Sequence, residues 1–344
     1  MTAGTLLLRA DAGTQIGSGH VMRLLALAQA WQDRGGQAVL VGSVGEGLGD
    51  RLRRADIAVE AAAGPVGGAD DAAATSDLAR RLGAVWVVAD GYRFGTPYQQ
   101  ALVDGGARLL VLDDDGHADA YPAHVVLNQN VSADPALYAR RAPHTRLLIG
   151  ADYALLRREF TAAPPLHDLP PARSVLVTLG GGDADNATAT VVDGLAATGR
   201  PDLDVTVVAG GANPHRADLE RRLDGAPFSG RLLHGVDDMA GLMRRAGLAV
   251  SAGGSTCWEL AYVGVPSAVV VLAENQRSIA AALDGRGAAV SLGAHDRLTP
   301  AAVAAAVGGL LDADGTRQRM SARSRALVDG QGAGRVVEAL AEYA

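Results

Sequence analysis

The sequence predicts an α/β protein of two domains, each with a parallel sheet that carries helices on both faces. Strand-like apolar runs alternate with helix-like segments along the chain, which is the pattern of parallel sheets. The alternation is interrupted once, by a proline-rich stretch, and then restarts with a second strand and glycine-rich loop. The 344 residues are enough for two ordinary domains, and the scarcity of aromatic residues favours layers packed from small and branched side chains.

The first half of the chain alternates strand-like runs with helix-like segments. In the first predicted helix, Val21, Leu24 and Ala28 recur at the spacing of one helix face. The predicted strands are 6–10, 37–43, 57–60, 84–90, 107–115 and 124–128. The predicted helices are 21–34, 47–55, 71–82 and 96–105.

The stretch TAAPPLHDLPPAR, residues 161–173, separates the two halves. It carries four prolines in two pairs, and neither a helix nor a central strand tolerates that density. We therefore predict an N-terminal α/β domain over 1–160, a linker over 161–173 and a C-terminal α/β domain over 174–344. The last helix is a candidate to cross back to the first domain.

The second half repeats the alternation after the linker. The predicted strands lie within 174–183, 203–211, 231–235, 248–254 and 266–273. The predicted helices are 186–199, one that starts near Ser255, one over 276–283, and a helical tail from 300 onward that is broken at Gly315, Gly330 and Gly334. Two such halves predict a cleft between the carboxyl ends of the two sheets, where open α/β folds bind ligands.

Composition and charge exclude several classes of function. The net charge is −7 and no basic stripe appears, which argues against nucleic-acid binding. No apolar run reaches the roughly 20 residues that a membrane span needs, and the N-terminal residues lack the features of a signal peptide. With a single cysteine, Cys257, we expect no internal disulfide and a cytoplasmic protein. The sequence has no lysine, which rules out a P-loop lysine and a Schiff-base lysine.

The loop RADAGTQIGSGHVMR, residues 9–23, is the first candidate site. Asp11, Gly17 and Gly19 precede His20, which stands at the start of a predicted helix. Glycines let a backbone approach a ligand closely, and the free N–H groups of a helix N-terminus attract anions. A histidine in such a loop is suited to act as a general base. The alternative is that His20 only caps or packs the helix.

Aspartates follow two further strands of the first half. Asp90 and Tyr92 stand at one strand end, and Asp113, Asp114 and Asp115 at the next. Helix capping and loop solubility are the alternative explanation, and Asp113, nearest the strand, is the better functional candidate. Clustered carboxylates can hold a metal, but no second cluster with ligand spacing accompanies them, so we predict no metal site.

In the second half, the loop TLGGGDADN at 178–186 follows the first strand. Gly180 and Gly181 could hold phosphate oxygens through backbone N–H groups, so we predict that they contact a nucleotide. Asp183 and Asp185 count against direct phosphate contact, and capping of the next helix is their expected role.

The stretch SAGGSTCWEL, residues 251–260, is the most informative one. Where its strand turns into a helix, backbone donors, hydroxyls and a positive helix end are available to a diphosphate; the residues are Gly253, Gly254, Ser255 and Thr256. Glu259 follows Ser255 by one helical turn, so its carboxylate could accept both hydroxyls of a ribose. Further on, Asn275 and Gln276 offer paired amide hydrogen bonds, with a helix cap as the alternative.

Together these segments resemble a known family, in the right order and over roughly residues 5 to 285. The segments are RADAGTQIGSGHVMRLLALA, VVADGYR, LLVLDD, VVLNQN, LLIGADYALLRREF, VTLGGGDADN and SAGGSTCWELAYVGVPSAVVVLAENQ. They resemble the UDP-2,4-diacetamido-2,4,6-trideoxy-β-L-altropyranose hydrolases of pseudaminic acid biosynthesis (PseG) and the related SpsG spore-coat polysaccharide proteins. The second half also resembles the nucleotide-binding half of MurG-like glycosyltransferases. The resemblance implies a GT-B fold, that is, two Rossmann-like domains that face a cleft.

The resemblance also implies roles for the candidate residues. His20 would be the catalytic base that activates water, with Asp11 as a further catalytic residue and Arg23 beside it in the same motif, and Tyr92 would line the sugar site. Contacts to the substrate would further come from Gly17, Gly19, Asn275 and Gln276. The UDP would be held by Gly180, Gly181, Gly253, Gly254, Ser255, Thr256 and, at the ribose, Glu259. One departure is visible, because Gly91 stands where the family usually has an acidic or amide residue before the tyrosine.

Three functions are compatible with this pattern. In the first, water attacks C1 of a UDP-linked diacetamido-trideoxy sugar and UDP leaves with inversion, without metal or cofactor. In the second, an acceptor hydroxyl replaces water and the protein is a GT-B glycosyltransferase. In the third, the protein binds a nucleotide sugar without catalysis. The loop that carries His20 favours the hydrolase. The expected partner is the UDP-sugar alone, with no nucleic acid, and we expect a monomer.

Overall fold

The computed structural model describes residues 4–13, 16–181, 183–210 and 213–343. The chain forms two compact units, unit 1 (Met1–Arg158 with Gly330–Ala344) and unit 2 (Glu159–Asp329). The proline-rich stretch 161–173, predicted as a linker, lies within unit 2. The last helix, the candidate to cross back, lies within unit 1.

Thirteen strands are found among the described residues, and they form two sheets. Unit 1 contains β1 (Thr5–Arg9), β2 (Gln37–Val41), β3 (Ala58–Glu60), β4 (Ala84–Asp90), β5 (Leu109–Leu112), β6 (Val125–Asn128) and β7 (Arg146–Ile149). Unit 2 contains β8 (Ser174–Thr178), β9 (Asp204–Ala209), β10 (Ser229–His234), β11 (Leu248–Ala252), β12 (Ser267–Val271) and β13 (Val290–Ala294).

The described helices alternate with these strands. The first seven are α1 (Gly19–Gln32), α2 (Glu46–Arg54), α3 (Ala69–Leu82), α4 (Thr96–Asp104), α5 (Arg158–Thr161), α6 (Ala187–Ala197) and α7 (Arg216–Asp224). The others are α8 (Met239–Arg245), α9 (Thr256–Val263), α10 (Arg277–Gly285), α11 (Pro300–Asp312), α12 (Asp314–Arg325) and α13 (Gly332–Glu342).

Both sheets are parallel, and the six strands of the second follow the order of the first six strands of the first. The first runs β3-β2-β1-β4-β5-β6-β7 and the second β10-β9-β8-β11-β12-β13. In each sheet the order reverses beside the first strand, between β1 and β4 and between β8 and β11. At such a switch point the loops that leave neighbouring strands diverge, which opens a crevice at the carboxyl ends of the strands. The loops singled out in the sequence leave β1 and β4 in unit 1, and β8 and β11 in unit 2.

Unit 1 buries apolar side chains on both faces of its sheet. Leu6 and Leu8 of β1 belong to one core with Leu24 of α1 and Val336 of α13. Leu7, between them in the sequence, belongs to the core on the other face, because successive side chains of a strand alternate. Each fully buried leucine contributes roughly 1.5–3 kcal/mol. These two cores fix β1 at the centre of the sheet, and with it the loop that begins at its carboxyl end.

Unit 2 is built in the same way around β8. Val177 of β8 is in one core with Val191 of α6 and Val303 of α11. The two helices approach closely at Gly194, where a Cβ atom would lie 2.4 Å from Cβ of Val303. The small residue therefore permits the contact that brings α11 onto the sheet.

Some sequence predictions differ from the structure. The strands β7 and β13 and the helices α7 and α8 were not predicted. The helix break predicted at Gly315 lies at Ala313, between α11 and α12, so that Gly315 is inside α12. The break predicted at Gly334 is wrong, because this glycine lies inside α13. Both are in the first turn of their helices, where N–H groups have no partner within the helix and a glycine costs little. Gly330 does lie between helices, with φ of +81°.

Candidate functional site

In unit 1 the loop between β1 and α1 is closed upon itself. The backbone N–H of Gly17 donates to the carbonyl of Gly13 at 2.8 Å, and that of Gly13 donates to Gly17 at 3.2 Å. Gly17 has φ of +69°, which favours glycine. Gly19 begins α1, and among the described residues no atom lies within 4 Å of where its Cβ would be. The closed loop brings the chain to the N-terminus of α1 with open space at Gly19; residues 14 and 15 lie outside the described part.

His20 is the second residue of α1, and Asp90 holds its imidazole. The Nδ1 atom of His20 lies 2.6 Å from Oδ1 of Asp90, the last residue of β4. Because β1 and β4 are neighbours, the start of α1 and the end of β4 meet at the switch point. A carboxylate on Nδ1 favours the tautomer that carries the proton there, which leaves Nε2 as an acceptor. His20 thus has the arrangement of a base oriented by an acid.

Arg23, one turn further along α1, lies between two aspartates. Its Nε and NH2 groups donate to the two oxygens of Asp90 at 2.5 and 2.7 Å. Its NH1 group donates to both oxygens of Asp114 at 3.0 and 2.8 Å. Arg23 was predicted to contact the substrate. In the structure it is buried and its guanidinium is directed to protein carboxylates, so it orients Asp90.

Asp90 is ionised in this setting. Burial alone would raise the pKa of Asp90, but the positive charge of Arg23 and the contact with His20 hold it well below its usual range. Asp90 is therefore a carboxylate at neutral pH. It can stabilise the positive charge of the His20 ring when that ring takes up a proton.

Tyr92 stands beside His20 at the same edge of the sheet. Its ring is 43% exposed and meets the His20 ring edge to face, with 5.3 Å between ring centroids. Burial and the charge of Asp114 raise the pKa of Tyr92 well above its ordinary value, so its hydroxyl stays protonated. Gly91, which precedes Tyr92, has φ of +155°, and a Cβ there would lie 3.0 Å from the ring of Phe94. Glycine at this position therefore suits the turn that presents Tyr92.

The structure gives two of the three aspartates after β5 different contacts. Asp113, the favoured candidate, is buried and accepts backbone N–H groups of Asp115 and Gly116 at 2.9 Å each, so it stabilises its own turn. Asp114 instead pairs with Arg23, and the amide of Asn130 donates to its Oδ1 atom at 2.8 Å. Asp114 is therefore the member of the run that joins the His20 site.

Asn130 was not singled out from the sequence as a site residue. It follows β6, and its backbone N–H donates to Oδ1 of Asn128, whose own amide donates to the carbonyl of Asp114 at 3.0 Å. The sequence does show that Asn130 follows a parallel strand, and the residues that follow parallel strands meet at one edge of a sheet. To bring Asn130 near His20, however, one also needs the strand order, which the sequence does not contain.

Asp11, the second predicted catalytic residue, is tied to the scaffold. It accepts NH1 of Arg9 at 2.7 Å and the backbone N–H of Ser43 at 2.7 Å. Arg9 is fully buried and also forms a two-point contact with Asp71 at 2.9 Å for each pair of atoms. The carboxylate that contacts His20 is that of Asp90, so the geometry favours a structural role for Asp11.

In unit 2, the loop after β8 lies beside the loop after β9. Gly180 has φ of +84°, and a Cβ at Gly210 would lie 2.7 Å from Cα of Gly181. Asp183 caps α6, because its two oxygens accept the backbone N–H groups of Ala187 and Thr188 at 2.7 and 3.0 Å. That contact agrees with the role expected for Asp183; residue 182 lies outside the described part.

The loop after β11 carries the predicted diphosphate site. Gly253 is packed against the protein, since a Cβ there would lie 3.0 Å from Cβ of Gln276. At Gly254 no described atom lies within 4 Å of such a Cβ. Ser255 is the N-cap of α9, its side chain forms no capping hydrogen bond, and Thr256 begins the helix. An open glycine, two hydroxyls and a helix N-terminus thus coincide, as an anion site requires.

Gln276 links the ends of two strands in unit 2. Its Oε1 atom accepts the backbone N–H of Leu272 at 2.9 Å and that of Gly253 at 3.2 Å. Its carbonyl oxygen is therefore used to fix the loop that carries Gly254, and its amide nitrogen is the group that could donate to a ligand. Asn275 and Glu259 are both half-buried near this edge.

The described part of the chain was also searched for metal sites and membrane spans. Across 4–13, 16–181, 183–210 and 213–343, no three His, Cys, Asp or Glu side chains are grouped so that they could hold a metal ion. Within the same ranges, no helix has the length and apolar character needed to cross a bilayer.

In comparison with known proteins, the second half of the chain is similar to a family of domains. Residues 174–334 match the model of the glycosyltransferase family 28 C-terminal domain. The chain is 32% identical to the spore coat polysaccharide biosynthesis protein SpsG of Bacillus subtilis over 201 residues, 57% of this chain and 58% of that protein. It is 26% identical to an uncharacterised protein of Methanocaldococcus jannaschii over 49% of this chain and 36% of that one. The chain thus spans less than two thirds of the length of these relatives.

Solved structures resemble the chain over nearly its whole length. The crystal structure of Acinetobacter baumannii MurG has a TM-score of 0.65 at 18% identity and covers 98% of this chain and 99% of its own. That of Anabaena Alr3699/HepE in complex with UDP-glucose has a TM-score of 0.64 at 15% identity and covers 98% of each chain. The protein therefore has the GT-B fold of these enzymes, and its second half is similar to the C-terminal domain of glycosyltransferase family 28.

Proposed function

We propose that the protein hydrolyses a UDP-linked diacetamido-trideoxy sugar of the pseudaminic acid type, releasing UDP and the free sugar. The observation that carries the proposal is the His20–Asp90 contact of 2.6 Å at the switch point of the first sheet. It lies in the loop whose sequence resembles the hydrolases of this reaction. The similarity to SpsG supports the same assignment at the level of the wider family.

In this proposal unit 2 binds the UDP. The match to the glycosyltransferase family 28 C-terminal domain supports it, as does the fold shared with a protein solved in complex with UDP-glucose. The diphosphate would accept backbone N–H groups of Gly254, Ser255 and Thr256 at the start of α9. The helix end offers a partial positive charge, which stabilises the leaving diphosphate without a lysine. Glu259, one turn into the helix, would accept the ribose hydroxyls.

Unit 1 supplies the base. Water attacks C1 of the sugar, its proton goes to Nε2 of His20, and the bond between C1 and the phosphate oxygen breaks with inversion. Its electron pair leaves with UDP, and His20 later returns the proton to solvent. Asp90 stabilises the imidazolium that forms, and Arg23 holds Asp90 in place. A general base contributes about 10²–10⁴-fold to the rate.

Glycosyl transfer is the second candidate. The glycosyltransferase names of the matching family model and of several similar structures favour it. The two reactions differ only in the molecule that supplies the attacking oxygen, which is water in hydrolysis and an acceptor hydroxyl in transfer. A base in the position of His20 would serve either one. Hydrolysis differs from transfer in an observable way, because it proceeds without an added acceptor.

The test of the base is His20→Asn, which keeps a hydrogen-bonding group and removes the titrating nitrogen. We expect kcat to fall by about 10²–10⁴-fold, while the Kd of UDP, measured by calorimetry, stays near that of the wild type. The matched control is His167→Asn, at a fully exposed histidine whose replacement should leave both values unchanged. If His20→Asn lowers the melting temperature but keeps most of its turnover, His20 is a packing residue and the proposal fails.

A further inference from the structure

A second histidine–aspartate pair lies at the carboxyl end of the first sheet. Asp113 directly follows β5, and its Oδ2 atom is 2.9 Å from Nδ1 of His117. The contact is an ion pair rather than a well-aligned hydrogen bond. Both groups are mostly buried, with 0% and 16% of their side chains exposed. The mechanism proposed above does not use this pair.

Asp113 is fixed from several sides, which in turn fixes His117. Besides the backbone N–H groups of Asp115 and Gly116, Asp113 accepts the hydroxyl of Tyr121. Burial alone would lower the pKa of His117, but Asp113, together with Asp115 and Asp114, raises it above its ordinary value. The imidazole is therefore favoured in its charged form beside an anchored carboxylate.

The two histidine–aspartate pairs share one aromatic neighbour. The ring of Tyr92 meets His20 with 5.3 Å between centroids and 79° between planes. It meets His117 with 5.9 Å and 78°. Edge-to-face contacts of this kind fix the orientation of a ring. Tyr92 itself is 43% exposed, at the same edge of the sheet as His20.

We infer that His117 is a positioning residue. It holds the ring of Tyr92 beside His20, in the orientation in which the ring contacts the sugar of the substrate. The inference rests on the proposed function only in that Tyr92 contacts the sugar. His117 then acts on the sugar part of the substrate through Tyr92, and it has no part in binding the UDP.

The experiment is a double-mutant cycle of His117→Ala and Tyr92→Ala, made in the His20→Asn protein so that the probe is not consumed. Calorimetry measures the Kd of UDP-2,4-diacetamido-2,4,6-trideoxy-β-L-altropyranose and of UDP alone. We expect His117→Ala to raise the Kd of the UDP-sugar by about 2- to 10-fold, which corresponds to the loss of one aromatic pair, and to leave the Kd of UDP unchanged. In the Tyr92→Ala background it should have no further effect. His117→Phe, which keeps a ring edge against Tyr92, should restore much of the affinity.

An equal effect of His117→Ala with and without Tyr92, or a change in melting temperature alone, would overturn the inference. The ring-proton chemical shifts of Tyr92, measured without ligand, test it independently of the sugar. They should change in His117→Ala and not in His144→Ala, at an exposed histidine of the same unit, and unchanged shifts contradict the inference. If the UDP-sugar binds the His20→Asn protein no better than UDP does, the proposed function fails, while these shifts still decide the role of His117.

Discussion

At the scale of residues, buried arginines pair with aspartates near the carboxyl edge of the first sheet. Arg23 joins Asp90 to Asp114, and Arg9 joins Asp11 to Asp71. Removal of one member of a buried pair leaves an uncompensated charge, which costs about 3–5 kcal/mol. These networks thus make the carboxyl edge rigid, and the one that contains Asp90 ends on His20.

The sequence singled out His20 as a candidate but did not indicate which residue contacts it. The glycines before it and the predicted helix after it mark the histidine as a candidate on local grounds. Asp90 is 70 positions away, and its proximity to His20 follows from the pairing of β1 with β4. The same dependence on strand order explains why Asp113 was preferred to Asp114, because the sequence cannot show which carboxylate faces α1.

One prediction at this scale concerns Glu259. Its replacement, Glu259→Ala, should weaken the binding of UDP by about 1.5–3 kcal/mol, since a charged hydrogen bond to the ribose is lost. The control is Glu274→Ala, because the carboxylate of Glu274 is 82% exposed and pairs with Arg277 at the surface. Calorimetry with UDP measures both variants. An unchanged Kd in Glu259→Ala would remove the ribose assignment and leave the diphosphate site to be tested separately.

At the scale of elements, the missed strands and helices have weak patterns for physical reasons. The strand β13 has no fully buried residue, and β7 has one, so neither shows the continuous apolar run of a central strand. The helix α7 buries only Leu219 and Leu223 among charged residues. The central strands β4 and β11, which are buried on both faces, were instead recognised directly from their apolar runs.

The prediction at this scale concerns α13, which completes one core of unit 1. Leu340 is 1% exposed in the same core as Leu24 of α1. Leu340→Ala should lower the free energy of unfolding by about 2–5 kcal/mol, because it removes buried methyl groups and leaves a cavity. Glu338→Ala, on the exposed side of α13, breaks only a surface ion pair with Arg34 and should cost at most about 1 kcal/mol. Urea unfolding measures both. Equal small losses would mean that α13 adds little to the core.

At the scale of the whole molecule, the fold followed from the repeated α/β pattern, and the function does so only in part. The alternation and its single interruption predicted two parallel sheets, and the structure has two; their strand order was not predicted. The GT-B fold, however, is shared by proteins with quite different names, among them the calicheamicin glycosyltransferase CalG4 and the spinosyn rhamnosyltransferase SpnG. The fold therefore does not decide the reaction, and the proposal that water attacks rests on the chemistry of the His20 loop.

The central claim is that water is the attacking nucleophile at C1, and isotope labelling tests it most directly. UDP-2,4-diacetamido-2,4,6-trideoxy-β-L-altropyranose is incubated with the protein in ¹⁸O-labelled water, without an added acceptor. The masses of the released sugar and of UDP are then measured by mass spectrometry. The account predicts turnover with one ¹⁸O atom in the released sugar and none in UDP, because the bond between C1 and oxygen breaks. Label in UDP would mean attack at phosphorus, and turnover only after an acceptor is added would mean glycosyl transfer; either result contradicts the account.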